Sequence, residues 1–245
     1  NFDWKRPLSF TQAHLMKDYG IVDYARFDGY AYTFVPIYTR YRSGSEAGYL
    51  DADKLYPMYM GNDPEVEPFY FGNLADEDVL VDHFIQYNLN ASRAREGFAR
   101  VAKQLIREGK DEQALEMLDR GLEVLPTSKI QFTDANTYPY LEAYYSLEQW
   151  EKGDALLQEY LKTLIEYIEY YLQFDGPQAN LVVNLIERRM DSLMELYYLA
   201  AYARRDDIVH SMNDYLRTFG YTDEELIQPG VNPEEMIDAS TMEME

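Results

Sequence analysis

Apolar residues recur every three to four positions from about Asp76 onward, whereas the first 75 residues show no such period. Between Ala91 and Glu108, the residues Ala94, Phe98, Val101, Ala102, Leu105 and Ile106 share one stripe, with Arg95, Arg100, Lys103 and Arg107 away from it. Gly109-Lys110 interrupts that helix, and Asp111 is placed to cap a second one carrying Ala114, Leu115, Leu118, Leu122 and Leu125 before Pro126. So short a turn predicts an antiparallel hairpin. A second pair is expected from Pro139 to Leu147 and from Gly153-Asp154 to Phe174, closed by Asp175-Gly176-Pro177. A third is expected from Gln178 to Ala203 and from Asp206 to Phe219, ending at Gly220.

The N-terminal stretch reads differently. Pro7-Leu8-Ser9-Phe10-Thr11 and Tyr30-Ala31-Tyr32-Thr33-Phe34-Val35 are strand candidates, the second stopped by Pro36. Gln12 to Phe27 is expected as a short helix interrupted at Gly20. Arg42 to Asn73, with its Ser43-Gly44-Ser45-Glu46-Ala47-Gly48 run and Pro57, Pro64 and Pro68, is expected as loop. Many Tyr and Phe here predict that the segment packs on the helices rather than folding alone.

With Pro126 set as the closing proline, a unit of the ~34-residue tetratricopeptide length begins at Arg95. Its large-and-small pattern falls on Phe98, Val101, Ala102, Leu105, Ala114, Leu118, Gly121 and Pro126. The next unit agrees at Ala143 and Ala155 but places Ser146 and Glu159 where apolar residues belong. The expected fold is therefore mainly α: tetratricopeptide-like antiparallel hairpins in an α/α superhelix, with an irregular, partly β N-terminal segment. Three regions follow: an aromatic, Pro/Gly-rich segment over 1–75, a helical-repeat domain over 76–228, and an acidic tail over 229–245.

Composition limits the partners. The chain has 245 residues and a net charge of −22, from 22 Lys+Arg against 44 Asp+Glu. Such a field repels nucleic-acid phosphates and anionic lipid from the bulk surface. There is no Cys, which excludes disulfides, thiolate metal sites and cysteine nucleophiles and fits a cytosolic or a periplasmic protein equally. No apolar run approaches the ~20 residues that span a bilayer.

Candidate chemistry is sparse. His14, His83 and His210 are far apart and show no HExxH or HxxxH spacing. Asp51 with Asp53, and Asp76-Glu77-Asp78, lack the framework of an EF-hand loop and read as caps and solvated faces. Neither a nucleophile elbow nor a phosphate-cradling glycine loop is present. Tyr144-Tyr145, Tyr167, Tyr170-Tyr171 and Tyr197-Tyr198 read first as core, with a carbohydrate or peptide platform as the alternative. First helices of tetratricopeptide units line a concave surface, which makes Lys103, Tyr140 and Tyr144 the candidate partner-binding residues.

A wider resemblance rests on segments in fixed order. Trp4-Lys5-Arg6-Pro7-Leu8-Ser9-Phe10, Asp28-Gly29-Tyr30-Ala31-Tyr32 through Val35-Pro36, and Tyr70-Phe71-Gly72-Asn73 precede Arg95-Glu96-Gly97-Phe98-Ala99-Arg100 and Glu108-Gly109-Lys110. Together they resemble the soluble C-terminal region of a bacterial multi-spanning membrane family, domain of unknown function 2723. Its members resemble protein O-mannosyltransferases, which use lipid-linked sugar donors. The resemblance implies that the start at Asn1 is an excision point, with the membrane-embedded part and its catalytic acidic loop upstream. It also implies a location on the periplasmic side of the inner membrane. No position here matches the transferase's catalytic residues, so none is carried over, and no cofactor or metal is expected. The expected role is a non-catalytic interaction or scaffolding domain. Its partner is a protein or peptide, or the membrane-embedded part of its own chain, with neither nucleic acid nor direct membrane insertion. The alternatives are a carbohydrate-binding or carbohydrate-active protein using tyrosines and paired carboxylates, and a purely architectural cap.

Overall fold

The computed structural model describes residues 6–40, 47–82 and 91–227. Trp4-Lys5, His83, most of the Gly-rich run and the 229–245 tail lie outside them. The described chain is mainly helical with a small mixed sheet near its N-terminus. It divides into two compact units, 1–153 and 154–245, so the segment 1–75 and the first regular helices share one unit. No helix among the described residues is long and apolar enough to cross a membrane.

In the first unit, β1 (Ser9–Phe10), β2 (Ala25–Phe27), β3 (Tyr32–Phe34) and β4 (Tyr49–Leu50) form a sheet in the order β1-β3-β2-β4. β3 runs antiparallel to β1 and β2, with Ser9 opposite Thr33 and Arg26 also opposite Thr33, while β4 lies parallel to β2. The helix expected over Gln12–Phe27 is only α1 (Ala13–Asp18). Gly20 takes a left-handed φ of 68°, a 3-10 turn follows at Val22–Tyr24, and Ala25 to Phe27 become β2 because Tyr32, Thr33 and Phe34 are there to pair with them.

Two prolines misled the pattern. Arg42 to Asn73 contains α2 (Ala52–Met60) with Pro57 inside it. Pro57 removes one amide donor, but Asp51 caps the first turn by accepting from Lys54 N–H, and Leu55, Tyr56 and Tyr59 are buried. Pro139 likewise sits inside α5 (Asp134–Ser146) rather than opening it. That helix begins five residues earlier, where Thr133 N–H donates to Asn136 Oδ1 at 3.0 Å, closing a capping box.

Helix α3 (Ala91–Arg107) packs against both α4 (Asp111–Val124) and α5, and α2 lies against α3 and α4. Lys110, not Asp111, is the N-cap of α4; Asp111 and Glu112 occupy its first turn, beside the positive end of the helix. Phe98, Leu105, Met117, Leu118 and Leu125 are fully buried, each contributing about 1.5–3 kcal/mol of transfer free energy. Arg95 is buried with them and donates to the carbonyls of Leu125 (2.7 Å) and Ile130 (2.8 Å), just beyond the end of α4.

The second unit holds α6 (Trp150–Tyr171) from Asp154 onward, α7 (Gly176–Tyr202) and α8 (Asp206–Arg217). Leu157, Leu164, Ile168, Leu193, Leu196, Val209, Met212 and Leu216 form its core, and the Arg205 guanidinium grips the Asp154 carboxylate with two donors. The α6–α7 turn and the first half of α7 stand clear of that core: Leu172 is 53% and Leu181 78% exposed.

Gly97 tests how tightly α2 and α3 approach. A Cβ there would fall on the Tyr59 hydroxyl. Helix propensity alone makes Gly97→Ala stabilising by about 1 kcal/mol; the close approach predicts instead a loss of about 1–3 kcal/mol. Urea unfolding should show that loss, and Gly97→Ala should cost clearly less in a Tyr59→Phe background. An equal cost in both backgrounds would contradict the steric account.

Candidate functional site

The site grows from the turn between β2 and β3. Asp28 N–H donates to the Ala31 carbonyl at 2.8 Å, and Gly29 takes a φ of 94°. Only glycine fits there, because a Cβ would enter the Phe69 ring. Tyr59 hydroxyl donates to the Gly29 carbonyl at 3.1 Å, and Arg26 holds the Asp28 carboxylate with a two-pronged fork at 2.8 and 2.9 Å. The turn is thus fixed from both sides, and it delivers Tyr30 and Tyr32 next to Phe27, whose ring lies 5.4 Å from that of Tyr32.

Facing this turn, α3 presents Arg93, Glu96, Gly97 and Arg100, spaced i, i+3, i+4 and i+7 along one stripe. Between the stripe, the turn and the start of α1 lies a hollow of about 440 Å³. Its aromatic walls are Phe27, Tyr30 and Tyr32; its polar groups include Gln12, His14, Arg93 and Glu96. In the amide orientation that satisfies both of its ends, Gln12 accepts from the Arg93 guanidinium and donates to the His14 ring.

Arg100 joins sheet and helix. Its guanidinium stands 4.0 Å from the Phe27 ring centroid, donates to Tyr32 hydroxyl at 2.8 Å, and donates to the Ala47 carbonyl at 2.6 Å. Glu96 is the carboxylate of the hollow. It is half-buried, and no described residue donates a hydrogen bond to it. Burial pushes its pKa up, against the opposing pull of Arg100 and Arg93. Burial also pushes the Tyr30 hydroxyl up to about 12, so that ring stays neutral.

Hydrolysis of a glycoside by paired carboxyls requires two of them about 5–10 Å apart, and among the described residues the lining holds one carboxylate, Glu96. A partly desolvated carboxylate without an internal donor is free to accept from water or from a ligand. Aromatic rings beside it suit a cation or the flat face of a sugar.

The residues singled out by repeat geometry behave otherwise. Tyr140 and Tyr144 are 0% and 1% exposed, so they do not line an accessible concave face. Tyr140 packs under Gly121, and Tyr144 hydroxyl donates to Asp119, which also takes Lys152. They are inward because α5 turns that stripe onto α3 and α4. Lys103 does reach the surface, where it pairs with Glu142 at 2.6 Å, but in a separate hollow on the other side of Arg100. His14 and His210 are exposed, and His83 lies outside the described residues. Among the described residues no three acids or histidines cluster closely enough to hold a metal ion.

Glu96, Arg100, Tyr30 and Tyr32 were not singled out as site residues from sequence. Their signal was the polar stripe on α3 and the ordered segments Asp28–Tyr32 and Arg95–Arg100, which the fold brings face to face. Comparison with protein-family models, with curated proteins and with solved structures returns no match.

Two outcomes follow. Arg100→Lys cannot bridge Tyr32 and Ala47 while covering Phe27, so thermal or urea unfolding should show about 2–4 kcal/mol lost. Glu96→Gln should act with opposite sign. Because folding raises the pKa of Glu96, its ionised form is disfavoured in the folded state. The variant should therefore be more stable than wild type at pH 7. That advantage should shrink as pH falls through the folded pKa and vanish below the unfolded value of ~4.3, where both states are neutral. A variant less stable than wild type at pH 7 would show that the carboxylate is an internal partner.

Proposed function

We propose that this chain is a non-catalytic binding domain whose recognition element is the hollow between the β2–β3 turn and α3. The observation that carries the reading is Glu96, half-buried beside Phe27, Tyr30 and Tyr32 without a hydrogen bond from a described residue. The ligand it suits is a protein or peptide segment that inserts a Lys or Arg side chain. The cation meets Glu96 and stacks on aromatic faces, and a chain of net charge −22 draws such segments toward it.

The helical body supports a tetratricopeptide-like reading of α3 and α4. Phe98, Val101, Ala102, Leu105, Ala114 and Leu118, the repeat positions of that pair, are all fully buried, and Gly121 meets a tyrosine hydroxyl where the pattern asks for a small residue. The ordered segments resembling the membrane family support placing the domain as the extracytoplasmic, periplasmic part of a glycosyltransferase-like membrane protein. The segment it binds then belongs to that protein or to a polypeptide beside it.

A carbohydrate ligand is the second reading, favoured by the aromatic walls. Selection of displayed random peptides on the immobilised chain distinguishes the two. Sequences containing Lys or Arg should enrich. Their affinity should fall at least tenfold with Glu96→Gln and fall with added salt. No enriched sequence, or binding indifferent to Glu96→Gln, overturns the peptide reading. Neutral monosaccharides shifting the Tyr30 and Tyr32 resonances would instead establish the second.

A further inference from the structure

The first half of α7 is apolar on more of its circumference than its own unit covers. Ala179, Val182 and Ile186 are half-buried and continue, at helical spacing, into the buried Leu193, Leu196 and Ala200. Leu181 and Leu185 lie to one side of that stripe and Val183 to the other. All three are exposed, as are Leu172 and Phe174 in the turn before the helix. So wide an apolar belt is the pattern of a helix covered by a further element.

The charges at its two ends say which element fits. From Gly176 to Ile186 eleven residues pass without a charge, in a chain of which 27% of residues are charged. Asp175 precedes that run and Arg188 follows it. Asp175 caps α7 without a side-chain hydrogen bond, and no described residue pairs with the carboxylate of Asp175 or the guanidinium of Arg188. Arg189, by contrast, stands 4.9 Å from the Tyr167 ring centroid. Leu181, Leu185 and Arg188 follow one another at i, i+4 and i+7, so the outward leucines and the unspent cation share a face, while Glu187 is turned about 100° from Arg188.

We infer that this face pairs with the same face of a second copy of the chain, the two helices antiparallel about a two-fold axis near Leu181. Reversal is what makes the patch complementary to itself. The uncharged stretch of one copy covers that of the other, and Arg188 of each arrives at Asp175 of the other, about 20 Å away along either helix. The two-fold contact makes that ion pair twice and closes after two chains. A parallel pairing sets Arg188 against Arg188 and is disfavoured. The net charge of −22 opposes association at long range, but salt screens it, so the uncharged contact decides. The inference is independent of the peptide reading, whose residues belong to the first unit.

Sedimentation of the full chain over a series of micromolar concentrations tests this, with flotation on phosphatidylcholine vesicles run beside it. A monomer–dimer equilibrium is expected. Leu181→Asp, at an exposed position, should weaken it at least tenfold while the circular dichroism spectrum stays unchanged. Arg188→Glu and Asp175→Lys should each weaken it severalfold, and the double variant, which reverses both ion pairs, should recover most of the loss. A chain that is monomeric at every concentration overturns the proposal, whether it floats with the vesicles or not. So does a dimer indifferent to Leu181→Asp, or a double variant no tighter than the single ones.

Discussion

The first unit depends on two guanidinium groups buried along one helix. Removing an arginine from water is costly unless every direction it points offers an acceptor or an aromatic face. Arg95 ties α3 to the carbonyls that follow α4, and Arg100 ties the same helix to the sheet through Phe27, Tyr32 and Ala47. Losing either set of acceptors would strand a buried guanidinium, so each link fixes where α3 sits against its neighbours. The sheet, with strands of two and three residues, is too small to hold its own register, and Arg100 supplies the missing constraint.

Glycines complete that frame by letting aromatic rings approach. Tyr59 touches both the Gly29 carbonyl and the Gly97 position, and its ring packs within 4.8 Å of Phe69 and 4.6 Å of Phe98. The turn that presents Tyr30 and the helix face that presents Glu96 are therefore located by one tyrosine. This also gives physical content to the ordered segments read from the sequence. Asp28–Tyr32, Tyr70–Asn73 and Arg95–Arg100 are distant in sequence, but Gly29, Phe71, Gly97 and Phe98 all converge on Tyr59.

Helical period revealed α3, α4, α6, α7 and α8 to within a few residues, because each carries an unbroken apolar stripe over several turns. The prolines concealed α2 and the start of α5. In both, capping and burial outweigh one missing amide, and a local pattern does not report burial. β2 was hidden for a related reason: Ala25-Arg26-Phe27 is strand only because β3 pairs with it. Tyr140 and Tyr144 were placed on a surface by repeat geometry, and the packing of α5 put them inside. Exposure is equally absent from the local pattern at Leu181, Val183 and Leu185, apolar residues that the fold leaves in water.

Net charge illustrates where a summed property stops being informative. A charge of −22 governs what approaches the protein, because the field of many acids adds at a distance. It does not govern what a hollow holds. At physiological salt the screening length is about 8 Å, so a group held among a few side chains responds mainly to them. Conversely, Glu96 stands between Arg93 and Arg100 yet stays hard to ionise, because lost hydration outweighs both neighbours. Arg100 thus lines two hollows whose other side chains differ. One lining holds Glu96 between Arg93 and Arg100, and the other holds Arg40, Arg100, Lys103 and Arg107 with no carboxylate among the described residues. Neither lining is visible in the ratio of 22 bases to 44 acids, since both arise from which side chains the fold brings together.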